Sequence, residues 1–491
     1  MNENDRAIEN DQSISKVEPE VSRSQSYRRP ILLGLCLACA SNFQIGFSIT
    51  YMNAPVAKFQ DFLNHSSISR GYGPMSESTY AFTWGLFLNL WLMGFGIGVW
   101  LNPFFNDKLG RKTGFLCMNV LSATGSVLRC VGVLTGIYEL LLIGQFTAAI
   151  AVAVTYQSLI LLLQECSPTS VRGLLSCCSE SAVAIFSIVG TFIGIETVLG
   201  HNLLFVVGFA LIPSIIGVIV LLPMQESPKF LLCFRDDRDA AARSIRFYHG
   251  KKANVDEVLE AIEKEDEQES RGESSYAEIL TTPHLRKAIL LGLMALQQTT
   301  VLWVIFFSST FFLQEVKIDS RTATWASTAV VFLYALGSII GSSFVDRFGR
   351  RKLVLPSAFT ALLFLSLYVL CALLKIGYGC IFSLLSYTFI YGFGTGPVCW
   401  FIGSELITQK HRSRVQVLNY FINMIITIGL TSTIMPLFKA IGPSAFIVLY
   451  ILPGFASLFV LYKKLPETRG REIHEIVSEL KGQTKDQLLT N

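Results

Sequence analysis

The chain has 491 residues, of which 51% are hydrophobic and only 15% are charged, and its mean hydropathy is +0.49. Apolar runs of about 18 or more residues recur along most of its length, and each can cross a hydrocarbon core of about 30 Å. This composition excludes a soluble globular protein and predicts an all-α polytopic membrane protein that lies in the lipid bilayer. The net charge of +4 is spread over short loops, which argues against a nucleic-acid partner.

No pattern of residues points to an enzyme. The eleven cysteines are scattered, mostly within apolar runs, and no paired CxxC or Cys/His spacing occurs. No G-x-x-x-x-G-K-[ST] phosphate loop is present, which argues against ATP-driven transport. We therefore expect no catalytic residue, no cofactor and no metal site.

The chain is expected to begin with a polar cytoplasmic tail, residues 1–30, that lacks the apolar core of a signal peptide. Six predicted spans follow in 31–222 and six more in 288–462. The polar stretch 223–287 between them is expected to form cytoplasmic helices, although a flexible linker is the alternative, and 463–491 is a second cytoplasmic tail. The predicted spans are 31–51, 80–102, 114–135, 138–161, 179–199, 203–222, 288–313, 323–344, 353–374, 378–402, 415–437 and 443–462.

Charged motifs recur at a nearly constant spacing, which indicates two tandem copies of a membrane half. Residues 107–112 read DKLGRK, and residues 346–352 read DRFGRRK about 240 positions later. Glu165 and Arg172 of the first copy correspond to Glu405 and Arg412 of the second, at a similar offset. Glu226, which follows an apolar segment, likewise corresponds to Glu467.

The short loops also predict the orientation. Most of their positive residues fall on the side of the N-terminus, so the positive-inside rule places both termini in the cytoplasm and requires an even number of spans, which twelve satisfies. Asn64-His65-Ser66 is the only N-x-[ST] sequon in the chain, and it lies in the predicted outer loop after the first span. Asn64 is therefore a predicted glycosylation site, with an accidental sequon as the alternative.

Taken in order, these motifs resemble those of the sugar porter family of the major facilitator superfamily, and most of all its animal facilitative glucose transporters. The resemblance rests on Asn53-Ala54-Pro55, the two charged loops, 165–173, 226–232, Gln297-Gln298, Gly396-Pro397, Trp400-Phe401, Glu405-Leu406 and 466–471. It implies the major facilitator fold, with twelve helices in two six-helix bundles and a cytoplasmic helical linker. The implied activity is facilitated diffusion of a hexose or related polyol by alternating access, in the plasma membrane.

Eight charged residues of the repeated motifs are candidates for an inner gate. A gate must hold when closed and still open, and half-exposed ion pairs worth roughly 0–1 kcal/mol each meet that need. The alternative is that these residues only fix topology, but the positive-inside rule requires no carboxylates. The candidates are Asp107, Arg111, Glu165, Arg172, Asp346, Arg350, Glu405 and Arg412.

The resemblance places the solute site at amide and aromatic side chains near the midplane. Gln297, Gln298, Asn423 and Trp400 match positions that the family uses to bind sugar. Amides offer donors and an acceptor to sugar hydroxyls without a net charge. The alternative for a single mid-membrane amide is a hydrogen bond that only joins two helices.

Other positions depart from the family pattern, which weakens the inference to glucose more than the inference to transport. The family's fifth-span Gln is here Glu180, its seventh-span Asn is Trp303 and its eighth-span Asn is Tyr334. Its tenth-span Glu is Gly392 and its fourth-span Arg is Gln145. Trp303 and Tyr334 are expected to narrow the cavity. Glu180 is a candidate for binding hydroxyls, carrying a proton or pairing with a cationic group.

Two expectations complete the sequence analysis. Proton-linked members have Gly-Tyr-Asp in the first span where this chain has Gly46-Phe47-Ser48, which favours facilitated diffusion, with Glu180 the rival proton carrier. Arg129, in the outer part of the third span, is expected to extend to the membrane surface. The alternatives to a sugar facilitator are a carrier of a non-sugar organic solute and a sensor that binds its solute without transporting it.

Overall fold

The computed structural model describes residues 28–166, 169–250, 254–269, 275–469, 471 and 473–481. Within these ranges only the backbone is described at a few helical positions, including 28–35, 169–181 and Asp346. The described part of the chain is helical almost throughout and contains no strand.

Twelve long helical segments, labelled α1 to α12, follow the order of the predicted spans. The first half contains α1 Arg28–Thr50, α2 Glu77–Leu109, α3 Arg111–Thr135, α4 Tyr138–Cys166, α5 Thr169–Gly194 and α6 Leu203–Leu221. The second half contains α7 Pro283–Glu315, α8 Ser320–Phe348, α9 Arg350–Leu373, α10 377–399, α11 Gln409–Ile441 and α12 Ile447–Lys464. Among the described residues, nine of these segments, all except α1, α5 and α10, are long and apolar enough to cross a membrane.

Shorter helices lie between and beside the spans. Val56–Ser69 follows α1 and Ile473–Lys481 follows α12. Pro228–Cys233, Arg238–His249, Val255–Glu269 and Tyr276–Thr281 lie between α6 and α7. Three of these last four begin at a side chain that accepts a backbone N–H two or three residues later, which satisfies an otherwise free amide. The capping residues are Ser227, Asp237 and Ser275.

The two charged loops have the same backbone shape and the same carboxylate cap. Gly110 and Gly349 adopt φ values of 110° and 94°, which only glycine reaches without strain. Glu226 Oε1 accepts the backbone N–H of Lys112 at 2.8 Å, and Glu467 Oε1 accepts that of Arg350 at 2.9 Å. Each carboxylate therefore lies at the N-terminus of a span, where free amides and the helix dipole favour a negative charge. We call the end of the bundle that carries these loops the basic end.

Candidate functional site

The gate candidates form ion pairs within each half at the basic end. Arg111 Nη2 lies 3.1 Å from Glu165 Oε1, and Arg350 Nη2 lies 3.2 Å from Glu405 Oε1. The pairs join α3 to α4, and α9 to the short helix Ile402–Glu405 that follows α10. Asp107 Oδ1 lies 3.6 Å from Arg111 Nη1. The two halves thus repeat the same Arg–Glu pair, as the duplicated motifs imply.

A hydroxyl next to each capping glutamate completes these clusters. Ser227 Oγ donates to Glu165, and Thr468 Oγ1 donates to Glu405 Oε2 at 2.5 Å. Glu165 lies just beyond the apolar span Tyr138–Leu163. Burial raises the pKa of its carboxyl, and the Arg111 guanidinium opposes that rise. The caps at Glu226 and Glu467 are thereby linked to the ion pairs through one side chain each.

Four predicted residues take no described part in these clusters. The side chains of Arg172, Asp346 and Glu180 lie outside the described residues. Arg412 is half-buried in the first turn of α11, and its Nε has no hydrogen-bond partner in the described part of the chain. Their proposed roles rest on sequence position alone.

Gln298 fixes one helix of the second half to another. Its Nε2 donates to the Gly454 carbonyl at 2.9 Å and to Ser457 Oγ at 2.6 Å, which ties α7 to α12. In the first half, Gln44 Nε2 donates to the Ala210 carbonyl at 2.8 Å and to a serine Oγ of α6 at 2.6 Å. The repetition of this pattern favours a helix-joining role for the Gln298 amide, as the alternative interpretation of a mid-membrane glutamine has it.

Gln297 lies beside a narrow cavity between α7, α9, α10 and α12. The wall also contains the rings of Tyr387, Tyr391 and Tyr450. The buried hydroxyls of Tyr387 and Tyr450 have no hydrogen-bond partner in the described part of the chain. The cavity volume open to the centre of a water molecule is about 10 Å³, which is room for about one water and far too little for a hexose. Gln297 therefore borders a space that is too small for a hexose in this arrangement.

The other described solute-site candidates surround the same part of the second half. Asn423 Nδ2 donates to the Leu296 carbonyl, the residue before Gln297, at 3.3 Å, while its Oδ1 has no described partner. The Tyr334 ring lies 6.2 Å from the Tyr391 ring, between centroids. The structure thus places Asn423 and Tyr334 close to the glutamine pair.

Three indole rings meet in the middle of the molecule. The Trp303 ring of α7 lies 6.2 Å from that of Trp400 and 5.3 Å from that of Trp91, between centroids. Phe95 stacks on Trp91 at 5.3 Å, and Phe307 lies 6.1 Å from Trp303. Because Trp91 belongs to α2, this central indole cluster, Trp91, Trp303 and Trp400, joins the two halves. Trp303 and Trp400 were predicted from the sequence, whereas Trp91 was not.

The two halves contact each other along α2 and α11 from one end to the other. Far from the basic end, Asn89 Nδ2 donates to Ser432 Oγ at 3.0 Å, and its Oδ1 accepts from Thr431 Oγ1 at 2.5 Å. Towards the basic end, the Trp100 ring packs edge-on against Phe421 with centroids 5.3 Å apart. Together with the indole cluster between them, these contacts close the space between the halves on this side.

A second polar link closes the end opposite the basic loops. Helix α7 is broken at Ser308, whose φ and ψ of −147° and 15° are not helical. The N–H of Thr310 just beyond the break binds Asn53 Oδ1 at 3.2 Å, and Asn53 Nδ2 donates to Ser309 Oγ at 2.7 Å. Asn53 lies just after α1, so a residue of the first half caps the broken helix of the second. From the sequence, Asn53 was predicted only to belong to a family motif.

The expectation that Arg129 extends to the membrane surface is wrong. Its side chain is fully buried, and its guanidinium donates to Gln145 Oε1 at 3.2 Å, to the Tyr51 hydroxyl at 3.3 Å and to Ser126 Oγ at 2.9 Å. The cause is the close contact of α3 with α4, where Gly144 lacks the Cβ that would lie 2.7 Å from Arg129 Cγ. The side chain fills that space and points inward.

The position of Arg129 bears on the departures from the family pattern. Gln145 stands where the family has an arginine in the fourth span, and Arg129 brings a guanidinium to Gln145 from the neighbouring helix. At the tenth-span position, a Cβ on Gly392 would lie 2.5 Å from the Tyr334 carbonyl oxygen. Backbone contact between α8 and α10 therefore leaves no room for a glutamate there.

The sequon lies at the end opposite the basic loops. Asn64 is half-buried on helix Val56–Ser69, and its Oδ1 accepts the backbone N–H of Met75 at 3.3 Å. The loop that follows this helix therefore donates a hydrogen bond to the oxygen of the same side-chain amide that would carry a glycan.

Replacing Asn53 by Ala should expose the Thr310 amide. Loss of a cap and of a buried hydrogen bond costs about 1–2 kcal/mol, so amide exchange in the segment after Ser308 should accelerate about 5- to 30-fold by mass spectrometry. Ser309→Ala is the matched control, because it removes one bond of Asn53 but leaves the bond to the Thr310 N–H. Unchanged exchange in Asn53→Ala would show that the cap is unimportant.

Replacing Arg129 by Leu should lower transport without lowering the thermal unfolding temperature. Its described acceptors are hydroxyls and an amide, so removing the charge relieves a desolvation cost that no carboxylate offsets. In this variant Tyr51 loses its contact with the Arg129 guanidinium. Because Tyr51 lies two residues before Asn53, which links the two halves, uptake should fall several-fold. Exchange of the two side chains, Arg129→Gln with Gln145→Arg, should restore uptake. A lower unfolding temperature in Arg129→Leu would instead assign Arg129 a stabilising role.

Comparison with known proteins agrees with this architecture. Residues 33–480 match the family described as Sugar (and other) transporter. Facilitated glucose transporter member 3 of Ovis aries is 25% identical over 469 residues, which are 93% of this chain and 94% of that protein. Member 1 of Gallus gallus is 25% identical over 460 residues, which are 91% of this chain and 92% of that protein.

Solved structures show the same fold. A proton:xylose symporter bound to 6-bromo-6-deoxy-D-glucose has a TM-score of 0.75 at 16% identity, over 93% of this chain and 100% of that chain. The inward-open xylose transporter from E. coli has a TM-score of 0.73 at 18% identity, over 92% and 99%. The predicted major facilitator fold is thereby confirmed. The family consists of transporters, which confirms that the chain is not an enzyme. The chain is a multi-pass membrane protein and belongs to the Sugar (and other) transporter family.

Proposed function

We propose that the protein moves a hexose or related polyol down its concentration gradient. The observation that carries this proposal is the similarity to facilitated glucose transporters, which extends over 93% and 91% of the chain for the two relatives above. It includes both halves, so the similarity covers the whole transport unit rather than one shared segment.

The transport cycle is alternating access between two rigid halves, 31–222 and 288–462. Its support is the kind of contact that joins them in the described part of the chain: helix packing of α2 on α11 and of α5 on α8, with hydrogen bonds and ring contacts at each end. Separation at one end breaks the bonds of Asn53 and Asn89, and separation at the other breaks the contact of Trp100 with Phe421. Each is small enough to form and break in every cycle.

The clusters at the basic end are the inner gate in this proposal. Arg111 with Glu165 and Arg350 with Glu405 hold neighbouring helices of one half together, and the capping carboxylates fix the loops beside them. Each half can then move as a unit at this end. Arg172, Asp346 and Arg412 are assigned to the same gate from their place in the repeated motifs.

Coupling to a proton gradient has little support in the first span. Ser48 occupies the position of the proton-linked members' aspartate and is buried. Glu180 in α5 is the remaining candidate for a proton carrier. We therefore favour facilitated diffusion, in which uptake does not depend on the proton gradient.

The orientation in the proposal follows the charge of the loops. The basic end faces the cytoplasm together with both termini, and the helix with Asn64 faces the outside of the plasma membrane, where the sequon can carry a glycan. The helices between α6 and α7 then lie on the cytoplasmic side.

A carrier of a non-sugar organic solute is the second candidate. It is favoured by the central indole cluster, which puts the Trp303 ring where the family has an amide, and by the use of the Gln298 amide to join α7 to α12. The sensor alternative loses part of its basis, because Arg129 supplies the guanidinium that the fourth span lacks.

Uptake of labelled hexoses into proteoliposomes at two external pH values tests the proposal. Saturable uptake that reaches the external concentration and does not change with the proton gradient is expected. Glu180→Gln should alter the preference among these hexoses or the pH dependence of uptake, because its carboxyl is proposed to face the solute path. Uptake equal to that of the wild type across substrates and pH would contradict this assignment. Absence of uptake for every hexose, with the protein inserted and folded, would contradict the proposal, and accumulation above the external concentration would contradict facilitated diffusion.

A further inference from the structure

The central indole cluster contains two hydrogen-bond donors without acceptors. Trp91 and Trp303 are both buried, at 1% and 8% exposure, and neither Nε1 has a hydrogen-bond partner in the described part of the chain. An indole N–H can only donate, and it usually finds an acceptor when it is buried. An unmet buried donor costs about 1–3 kcal/mol, so two side by side point to a ligand that supplies the acceptors.

The two donors belong to different halves of the transporter. Trp91 lies in the middle of α2, and Trp303 lies in α7 five residues before the break at Ser308. Their ring centroids are 5.3 Å apart with 39° between the ring planes, so the rings touch now and must separate when the halves move. A flat molecule that enters the opened space would contact one aromatic face from each half.

The surroundings favour a ring over a polyol. Phe95, Phe307 and Trp400 pack around the two indoles, so aromatic rings surround the contact. Of the three predicted solute-site amides, Gln298 Nε2 donates to α12 and Asn423 Nδ2 donates to the Leu296 carbonyl, which leaves Gln297 as the main amide for several sugar hydroxyls. The two indole N–H groups suit a ligand with one or two acceptors at the edge of a flat ring better than a sugar with hydroxyls all around its ring.

We propose that Trp91 and Trp303 form a ring-binding subsite that spans the two halves and takes a flat, unsaturated ring with an acceptor oxygen attached. This inference rests on the proposed function and adds a substrate class to it. The ring is one part of a glycoside-like solute that the protein binds or transports. Trp303 is then the residue that sets specificity, since it replaces a hydroxyl-binding amide by an aromatic face with one donor.

Calorimetric titration of the purified full-length protein with phenyl and methyl β-D-glucopyranoside tests this subsite. The two probes share the sugar and the bridging oxygen and differ in the ring. The wild-type protein should bind the phenyl glucoside about tenfold more tightly, and Trp303→Asn should reduce that preference to less than about twofold. Trp303→Phe keeps a ring but loses the N–H, so its preference should lie between the two.

Controls separate the subsite from the fold and from the proposed function. Trp325→Phe changes a tryptophan that is 49% exposed and should keep the full preference, and thermal unfolding confirms that each variant is folded. Equal binding of the two glucosides by the wild type, or an unchanged preference in both Trp303→Asn and Trp91→Leu, would overturn the subsite while leaving hexose transport standing. Binding of benzamide, a flat ring with a carbonyl, without either glucoside would support the subsite and contradict a sugar substrate.

Discussion

The contact between the two halves is the feature on which the rest of the molecule depends, because a carrier must close it and open it in every cycle. Among the described residues its polar part includes two buried asparagines, Asn53 and Asn89, and its apolar part includes aromatic rings and the packing of α5 on α8. A hydrogen bond contributes about 0.5–1.5 kcal/mol net, and an aromatic pair a similar amount. A few such contacts hold a closed state without making it permanent.

Within each half the requirements are opposite, and the contacts are tighter. Water is absent from the membrane core, so buried polar groups must be paired inside the protein. Gln44 and Gln298 meet this need by joining the first helix of each half to the last. Glu226 and Glu467 meet it at the basic end, where each supplies acceptors to the free amides of a span. These bonds tie the helices of each half to one another, as the movement of two separate bodies requires.

The segment between Tyr51 and Asn53 connects the contacts within the first half to the contacts between the halves. Arg129 is held inside the first half by Tyr51 and Gln145, and Tyr51 lies two residues before the asparagine that reaches across to α7. A buried charge is costly in a membrane, and its usual justification is function rather than stability. We regard its position here as the means by which the end of α1 is kept in line with the broken helix.

The fold could be predicted from the sequence to a large extent, because apolar runs of membrane length and a repeated charged loop are local signals. The order of the spans and the duplication needed nothing else. The sequence showed only that Glu226 and Glu467 occupy equivalent positions in the two copies. Their role as caps could not be predicted, because the amides they bind lie more than a hundred residues away.

The candidate site was predictable only in part. Gln298 and Trp303 lie in the right region, but the sequence does not state which face of α7 each side chain occupies. Arg129 illustrates the same limit, since its direction depends on the absence of a side chain at Gly144 in another helix. The bond from Asn53 to Ser309 joins residues 256 positions apart, and only the packed halves bring them together.

Distances between the halves, measured at both ends by electron spin resonance, test alternating access most directly. Spin labels on unnatural amino acids can be placed at Ser78 and Lys439 at one end, and at Leu109 and Phe348 at the basic end, all of which are exposed. Titration with a transported solute should shorten one distance while it lengthens the other, in every population that is resolved. Two distances that change together, or that do not change while solute is being transported, would contradict the movement of two rigid halves.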